Sequence, residues 1–295
     1  PYLVQSLEHP YSFFRPEIAL VEDQHLTVFT EADRAYAGYR TDRWDIRLGK
    51  QRINWGTNLI WNPNDVFNSY NILDFDYEER PGTDALRIQY DLREQRAVDI
   101  AYAPAKSGRT VAAGMYRTNL GAFDLQFSGG IYRGQAVAGF GWAGNIGKAG
   151  FKGEFNQYMK NSRNSGQTSA AITLDYTLKG NWYVFAAGLW QDQSVADFQP
   201  LMFFSGESVI SPKYLMPYHY CSYLGAMKEL SPQWSVQLAA IYGETNQSLI
   251  LFPAATWKVS DDFELLLTGQ GYFTRLADTW GNRADALYLR LKYNF

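Results

Sequence analysis

Over residues 284–295 the chain alternates without a break. Leu287, Leu289, Leu291, Tyr293 and Phe295 fall on one face, and Tyr288, Arg290, Lys292 and Asn294 fall on the other. A period of two marks a strand, because successive side chains of a strand leave opposite faces. The alternation therefore creates one wholly apolar face, which must be covered either by a protein core or by lipid. Soluble sheets bury such faces too, so the rest of the chain has to decide.

The same rhythm runs back through the sequence. Phe263, Leu265, Leu267 and Phe273 oppose Glu264, Thr268, Gln270 and Tyr272 in a strand expected over about 262–274. Leu249, Leu251, Ala255, Trp257 and Val259 share a face over 248–259, where Pro253, which has no N–H for a ladder, implies a bulge. Further strands are expected near 234–242, 218–229, 181–190, 167–178, 149–159, 135–145, 122–132, 109–118, 96–104, 85–92, 43–54 and 24–39, with a weak one over 13–21. Short turns fall at 41–42, 93–95, 179–180, 231–232 and 260–261. The long interruptions, 56–83 and 191–216, and the shorter 275–283, fall at the opposite end. The expected count is sixteen strands, with fourteen as the alternative.

No apolar run approaches the roughly 18 residues of a membrane helix; the longest spans about 182–190. Aromatic residues make up 16% of the chain, with 21 Tyr, 18 Phe and 9 Trp. Rings with one apolar and one polar end favour membrane–water interfaces. No repeat of propeller length occurs. The polar members of the alternation are often Ser, Thr, Gln and Gly, which suit a lumen better than the outer face of a soluble sandwich. These observations together predict an all-β fold, a transmembrane antiparallel up-and-down β-barrel, with residues 1–295 forming one domain. A net charge of −3 excludes a basic footprint for nucleic acid. The chain starts at Pro1 without an apolar leader, so a signal peptide is expected to have been removed. Its single cysteine, Cys221, cannot form an internal disulfide.

Residues 44–83 carry the chain's individuality. Trp44, Ile46 and Leu48 are expected outward, and Asp45, Arg47, Gly49 and Gln51 inward. Arg52 and Asn54 then break the alternation, which predicts a bulge or bend. Asn62-Pro63-Asn64-Asp65 has the cap and first-turn proline of a short helix start. The segment is too apolar to extend into water, so 56–83 is expected to fold onto the rim or into the lumen as a constriction or plug. Asp74, Asp76, Glu78 and Glu79 invite a calcium reading, but they lack the spacing of a calcium loop. Pairing with Arg47, Arg52, Arg80 and Arg87 is the expectation here, and no metal or cofactor is assigned.

Two resemblances follow from these residues. A strand whose apolar alternation ends on a terminal Phe, here Tyr293 and Phe295, resembles the closing strand of bacterial outer-membrane barrels, where it is the signal read by the assembly machinery. Gly49-Lys50-Gln51-Arg52 with Trp55-Gly56, followed by Trp61-Asn62-Pro63-Asn64-Asp65, resembles Gram-negative porin-like barrels, and above all outer-membrane proteins of Bacteroidota. It resembles channel and exopolysaccharide-export barrels less. The second likeness covers about 34–92. It implies the outer membrane of a Gram-negative bacterium, with outer-membrane lipids and lipopolysaccharide as surroundings. Other outer-membrane proteins are further candidate partners.

Histidine occurs only at positions 9, 25 and 219, and no nucleophile motif accompanies any of them. An enzyme is therefore not expected. Inward-facing charges of both signs are expected at Asp45, Arg47, Arg87, Asp91, Asp99, Asp124, Lys152, Glu154, Asp175, Glu264, Arg290 and Lys292. A hydrophilic wall without strong charge bias predicts a pore for passive diffusion of small hydrophilic solutes, constricted by 56–83. The alternative is an occluded barrel acting as a structural or accessory subunit of a larger outer-membrane complex.

Overall fold

The computed structural model describes residues 17–22, 27–31, 33–68, 82–104, 110–194, 211–244, 247–276 and 279–294. Seventeen strands form in sequence order: β1 (Glu17–Glu22), β2 (Thr27–Glu31), β3 (Ala35–Arg40), β4 (Trp44–Gln51), β5 (Thr83–Arg93), β6 (Arg96–Ala103), β7 (Val111–Leu120), β8 (Phe123–Tyr132) and β9 (Gln135–Ile146). They continue with β10 (Ala149–Tyr158), β11 (Gln167–Leu178), β12 (Trp182–Gln191), β13 (Tyr220–Ser231), β14 (Trp234–Gly243), β15 (Ser248–Lys258), β16 (Phe263–Leu276) and β17 (Thr279–Tyr293). Strands β3 to β17 make one 15-stranded sheet in which every strand pairs with its sequence neighbours, while β1 and β2 form a separate hairpin. All pairings are antiparallel, which gives the up-and-down order of a barrel wall.

The strand expected over 24–39 is interrupted. Charged Glu31, Asp33 and Arg34 break the alternation, and the chain divides into β2 and β3. Among the described residues the wall therefore has fifteen strands, against the sixteen or fourteen expected, because β2 pairs with β1 and not with the wall. Two further expectations are corrected. Pro253 causes no bulge: the β14–β15 register runs unbroken through Leu238↔Pro253. On the other side the ladder omits Phe252 and Pro253 and resumes in the same register at Ala254↔Thr268, so the missing N–H costs rungs rather than an offset. The expected loop at 275–283 is mostly strand, since β16 and β17 pair out to Leu276↔Thr279. The register shift lies instead at Tyr272/Phe273.

The two faces differ as the alternation requires. On β17, Leu287 is 76% exposed and Leu289 66%. On the opposite face of the sheet Ala239, Ile241, Ile250, Phe252, Thr268, Gln270 and Tyr272 are buried. A continuous exposed apolar wall backed by a mixed interior is the surface a barrel presents to lipid. The ends differ too. Connections at 41–43, 94–95, 121–122, 147–148, 179–181, 232–233 and 259–262 are short. At that end exposed aromatics gather: Trp234 stacks on Trp257 with centroids 5.3 Å apart, Trp44 meets Tyr90 at 4.4 Å, and Lys228 lies 4.9 Å from the Trp182 ring. This is the aromatic girdle of a membrane interface. The long connections, 52–82 and 192–219, leave the other end.

Candidate functional site

Strand β4 keeps its register to its last residue, Gln51↔Thr83, so no bulge follows Gly49. Gly49 instead adopts a φ of 128°, and a Cβ there would lie 2.4 Å from the Ala35 carbonyl oxygen. Gln51, also predicted as a lumen residue, is structural: its Nε2 donates to Ala85 O at 3.0 Å and Arg47 O at 3.2 Å. Beyond it the chain leaves the sheet and turns onto the buried face.

Residues 52–68 are held there along their length. Trp55 and Phe67 join Ala101, Val111, Met115 and Tyr132 in one apolar cluster, on the β5–β10 side. Ile60 and Trp61 join a second cluster, on the β11–β16 side, with Leu189, Tyr223, Ile241 and Phe252. Trp55 packs edge-on against Phe67 at 5.0 Å, and Trp61 against Tyr223 at 6.3 Å. A single short segment thus reaches inner faces on both sides of the sheet.

The two halves of the motif meet. The Trp55 N–H donates to Asp65 Oδ1 at 3.4 Å. A Cβ on Gly56 would lie 2.3 Å from Asn62 Oδ1, so only glycine lets the two arms approach. Asn62-Pro63-Asn64-Asp65 forms a turn rather than a helix. Asp65 N donates to Asn62 O at 3.1 Å with Pro63 at the second position, and Val66 N then bonds back to Asn64 O at 3.0 Å. A helix started here would aim Val66 N at Asn62 O, and that bond is replaced by the one to Asn64 O; the Asn64 N–H, which a helix leaves unpaired in its first turn, donates to Glu154.

Glu154, on the inner face of β10 and 1% exposed, is the main anchor. Its Oε1 accepts the backbone N–H groups of Thr57 and Asn58 and the Thr57 hydroxyl; its Oε2 accepts Asn64 N–H at 2.8 Å. A buried carboxylate needs such donors to offset its lost hydration. Asn64 adds Nδ2 to Phe140 O at 2.9 Å and accepts from Asn156 Nδ2 at 3.2 Å. Gln126 Nε2 donates to Trp55 O at 2.8 Å.

The predicted charges are placed as follows. Arg87 pairs with Asp99, which also accepts Trp55 Nε1 at 3.1 Å and Gln89 Nε2 at 3.2 Å. Arg87 Nη1 reaches Arg52 O at 3.4 Å. Arg47 holds Asp45 through bonds of 2.9 and 2.7 Å, and Arg40 joins the same carboxylate. Asp91 accepts Arg93 N at 2.7 Å. Arg290 and Lys292 lie on β17 opposite Leu266 and Glu264, away from this group. Tyr293 pairs with Phe263 on the exposed face. Asp74, Asp76, Glu78, Glu79, Arg80, His9, His25 and Phe295 lie outside the described residues. Among the described residues no group of three or more His, Cys, Asp or Glu could hold a metal ion.

Beneath the segment, toward the short turns, lies a cavity of about 1000 Å³. Asn54, Trp55, Gly56 and Thr57 contribute one side. Arg40, Arg43, Arg93, Arg96 and Arg117 line it with Asp42, Asp45, Asp91, Glu94 and Asp124, so five guanidiniums face five carboxylates. A second inward stretch, 211–219, lies toward the opposite end. Leu215, Met216 and Tyr218 are buried in the cluster that holds Trp61. Gln191 Nε2 donates to Met216 O at 2.7 Å, and Lys213 Nζ to Ser165 O at 2.9 Å. Burial pushes the Lys213 ammonium below its ordinary pKa. His219 bonds Gln191 O at 3.0 Å and Ser194 Oγ at 3.1 Å, fastening the same rim.

No family model matches the chain, and no curated protein matches it in sequence. Solved structures do match. OccK11 (OpdR) of Pseudomonas aeruginosa aligns with a TM-score of 0.60 at 10% identity, over 91% of this chain and 80% of that one. OccK10 (OpdN) of the same organism aligns at 0.59 and 12% identity, over 87% and 81%. Both are outer-membrane porins. Wzi, a carbohydrate-binding β-barrel involved in group 1 capsule assembly in Escherichia coli, aligns at 0.50 and 11% identity, over 88% and 68%. These likenesses bear out the porin-like part of the expected resemblance, and they do not extend to Bacteroidota proteins or to the motif. The fold is that of a Gram-negative outer-membrane β-barrel, and the outer membrane is where a wall of this kind resides.

Proposed function

We propose that the protein is a porin-like outer-membrane channel for passive diffusion of small hydrophilic solutes, narrowed by the segment between β4 and β5. The observation that carries this reading is the charge-balanced cavity of about 1000 Å³ on the inner face, bounded on one side by Asn54–Thr57. A water-filled space with paired charges lets polar solutes pass without a deep electrostatic trap. The fold shared with OccK11 and OccK10 supports the same reading, whereas an accessory-subunit role finds no support among the structural neighbours. In this proposal residues 1–295 form one barrel with 56–83 as an inserted outer loop, and the protein carries no catalytic chemistry. The motif in 49–65 then marks a branch of barrels, found in Bacteroidota, that builds its constriction from this loop. Proteoliposomes containing the purified protein, diluted into neutral solutes of increasing size, test the proposal. The expected result is swelling that slows steeply with solute size; liposomes that do not swell even in the smallest solute would refute it.

A further inference from the structure

Along β11 to β14 the inner face changes character just beneath the segment. Level with it, Thr173, Ala187, Tyr223 and Ala239 are buried. The next inward position toward the short turns on the same four strands holds Asp175, Phe185, Gly225 and Gln237, and all four are partly exposed. One row further, Met227 is 37% exposed. Solvent therefore reaches the wall from the short-turn end up to this row, and the segment seals what lies beyond it.

Two aromatic rings stand at this boundary. Tyr183 and Phe185, successive inward residues of β12, lie with centroids 5.5 Å apart and planes 32° apart. Phe185 stacks on Tyr223 at 5.4 Å and 22°, and Tyr223 in turn meets Trp61 of the segment edge-on. Glycine at 225 gives Phe185 its place on the wall: a Cβ there would fall 2.4, 2.7 and 2.9 Å from three of its ring carbons. The half-exposed pair is thus backed by buried rings, which fixes its geometry before any ligand arrives. Polar groups flank it. The Tyr183 hydroxyl meets the Asp175 carboxylate, and Lys152 Nζ stands 3.8 Å from the same group. Lys152 is itself the cross-strand neighbour of Ala143, which lines the cavity already described, so the open wall borders that space.

From this we infer that the row is a binding site for an uncharged saccharide. A pyranose has flat faces of C–H groups and a rim of hydroxyls. It can lay a face on the two rings while its rim gives and takes hydrogen bonds at Lys152 and Asp175. The adjacent carboxylate and ammonium leave no net charge to draw an ion, and a wholly apolar solute would strip water from the pair without replacing it. The site lies on the short-turn side of the segment and needs no open pore, so it is independent of the channel reading.

Saturation-transfer difference NMR with maltotriose tests it, on protein in perdeuterated dodecylphosphocholine, a detergent without a sugar headgroup. Native protein is compared with Tyr183→Leu and Phe185→Leu, each of which keeps an apolar side chain on the wall; an unchanged heat-induced gel shift confirms the fold. The expected result is saturable transfer to the ring C–H protons of maltotriose, with adenosine, a flat heteroaromatic probe, bound more weakly. Each variant should weaken maltotriose binding by roughly threefold to tenfold, the worth of one aromatic contact. No transfer to maltotriose, tighter binding of adenosine, or equal maltotriose binding by both folded variants and the native protein would overturn the inference.

Discussion

Replacing Glu154 by glutamine keeps the side chain's shape but removes its charge and one of its two acceptors. In the native protein Oε1 serves Thr57 and Asn58 while Oε2 serves Asn64. Glutamine can satisfy one group of donors only, and its amide then points N–H toward the other. The smallest loss is the Asn64 bond. A hydrogen bond to a charged group is worth about 1.5–3 kcal/mol, which corresponds to a shift of about 10- to 140-fold in the balance between docked and released segment. The apolar anchors Trp55, Trp61 and Phe67 are untouched, so the segment should open locally while the barrel stays folded. Hydrogen exchange read by mass spectrometry on peptides covering 57–64 is the assay. Exchange there should quicken by that factor, with β11 and β12 unchanged. Equal protection in native and variant protein would refute the view that this carboxylate fastens the segment.

Other perturbations have defined outcomes. Gly56→Ala drives a methyl into Asn62 Oδ1, 2.3 Å away; it should cost about 1–3 kcal/mol as overpacking does and appear as new proteolysis within 57–64. Asp99→Asn strips the carboxylate from Arg87 and Trp55 Nε1. Breaking a buried pair costs about 3–5 kcal/mol, so the folded gel band should convert to the unfolded one at a lower temperature. Leu287→Lys places a charge on a side chain 76% exposed on the apolar wall; a cost of about 2–4 kcal/mol near mid-bilayer should lower the yield of refolding into vesicles, while Leu287→Ile should not. Arg117→Glu upsets the equal charges around the cavity, and the reversal potential in a salt gradient should move toward cation preference.

How far the sequence reaches depends on the range of the interaction. The strands were legible because each face announces itself every second residue: β11, Gln167–Leu178, begins and ends where the alternation does. The break between β2 and β3 was harder, since the charges of Glu31, Asp33 and Arg34 can be read as an exposed strand end or as an interruption. Pro253 was misread because a missing donor can be accommodated by omitting rungs as well as by shifting register. Asn62–Asp65 carries every local feature of a helix start, yet a turn forms, with Val66 N bonding back to Asn64 O where a helix would use Asn62 O. The pairing of Trp55-Gly56 with Trp61–Asp65 showed in the sequence as a motif and in space as contact. Glu154 and Asp99 were legible only as inward charges. Nothing local to a strand carboxylate says which distant backbone donors it will meet.

Single-channel recording in planar bilayers, comparing the native protein with a variant lacking residues 57–81, tests the central claim most directly. A channel narrowed by this segment should give small, discrete openings in the native protein and severalfold larger ones in the variant. Silence from both forms, or identical conductance in the two, would contradict it.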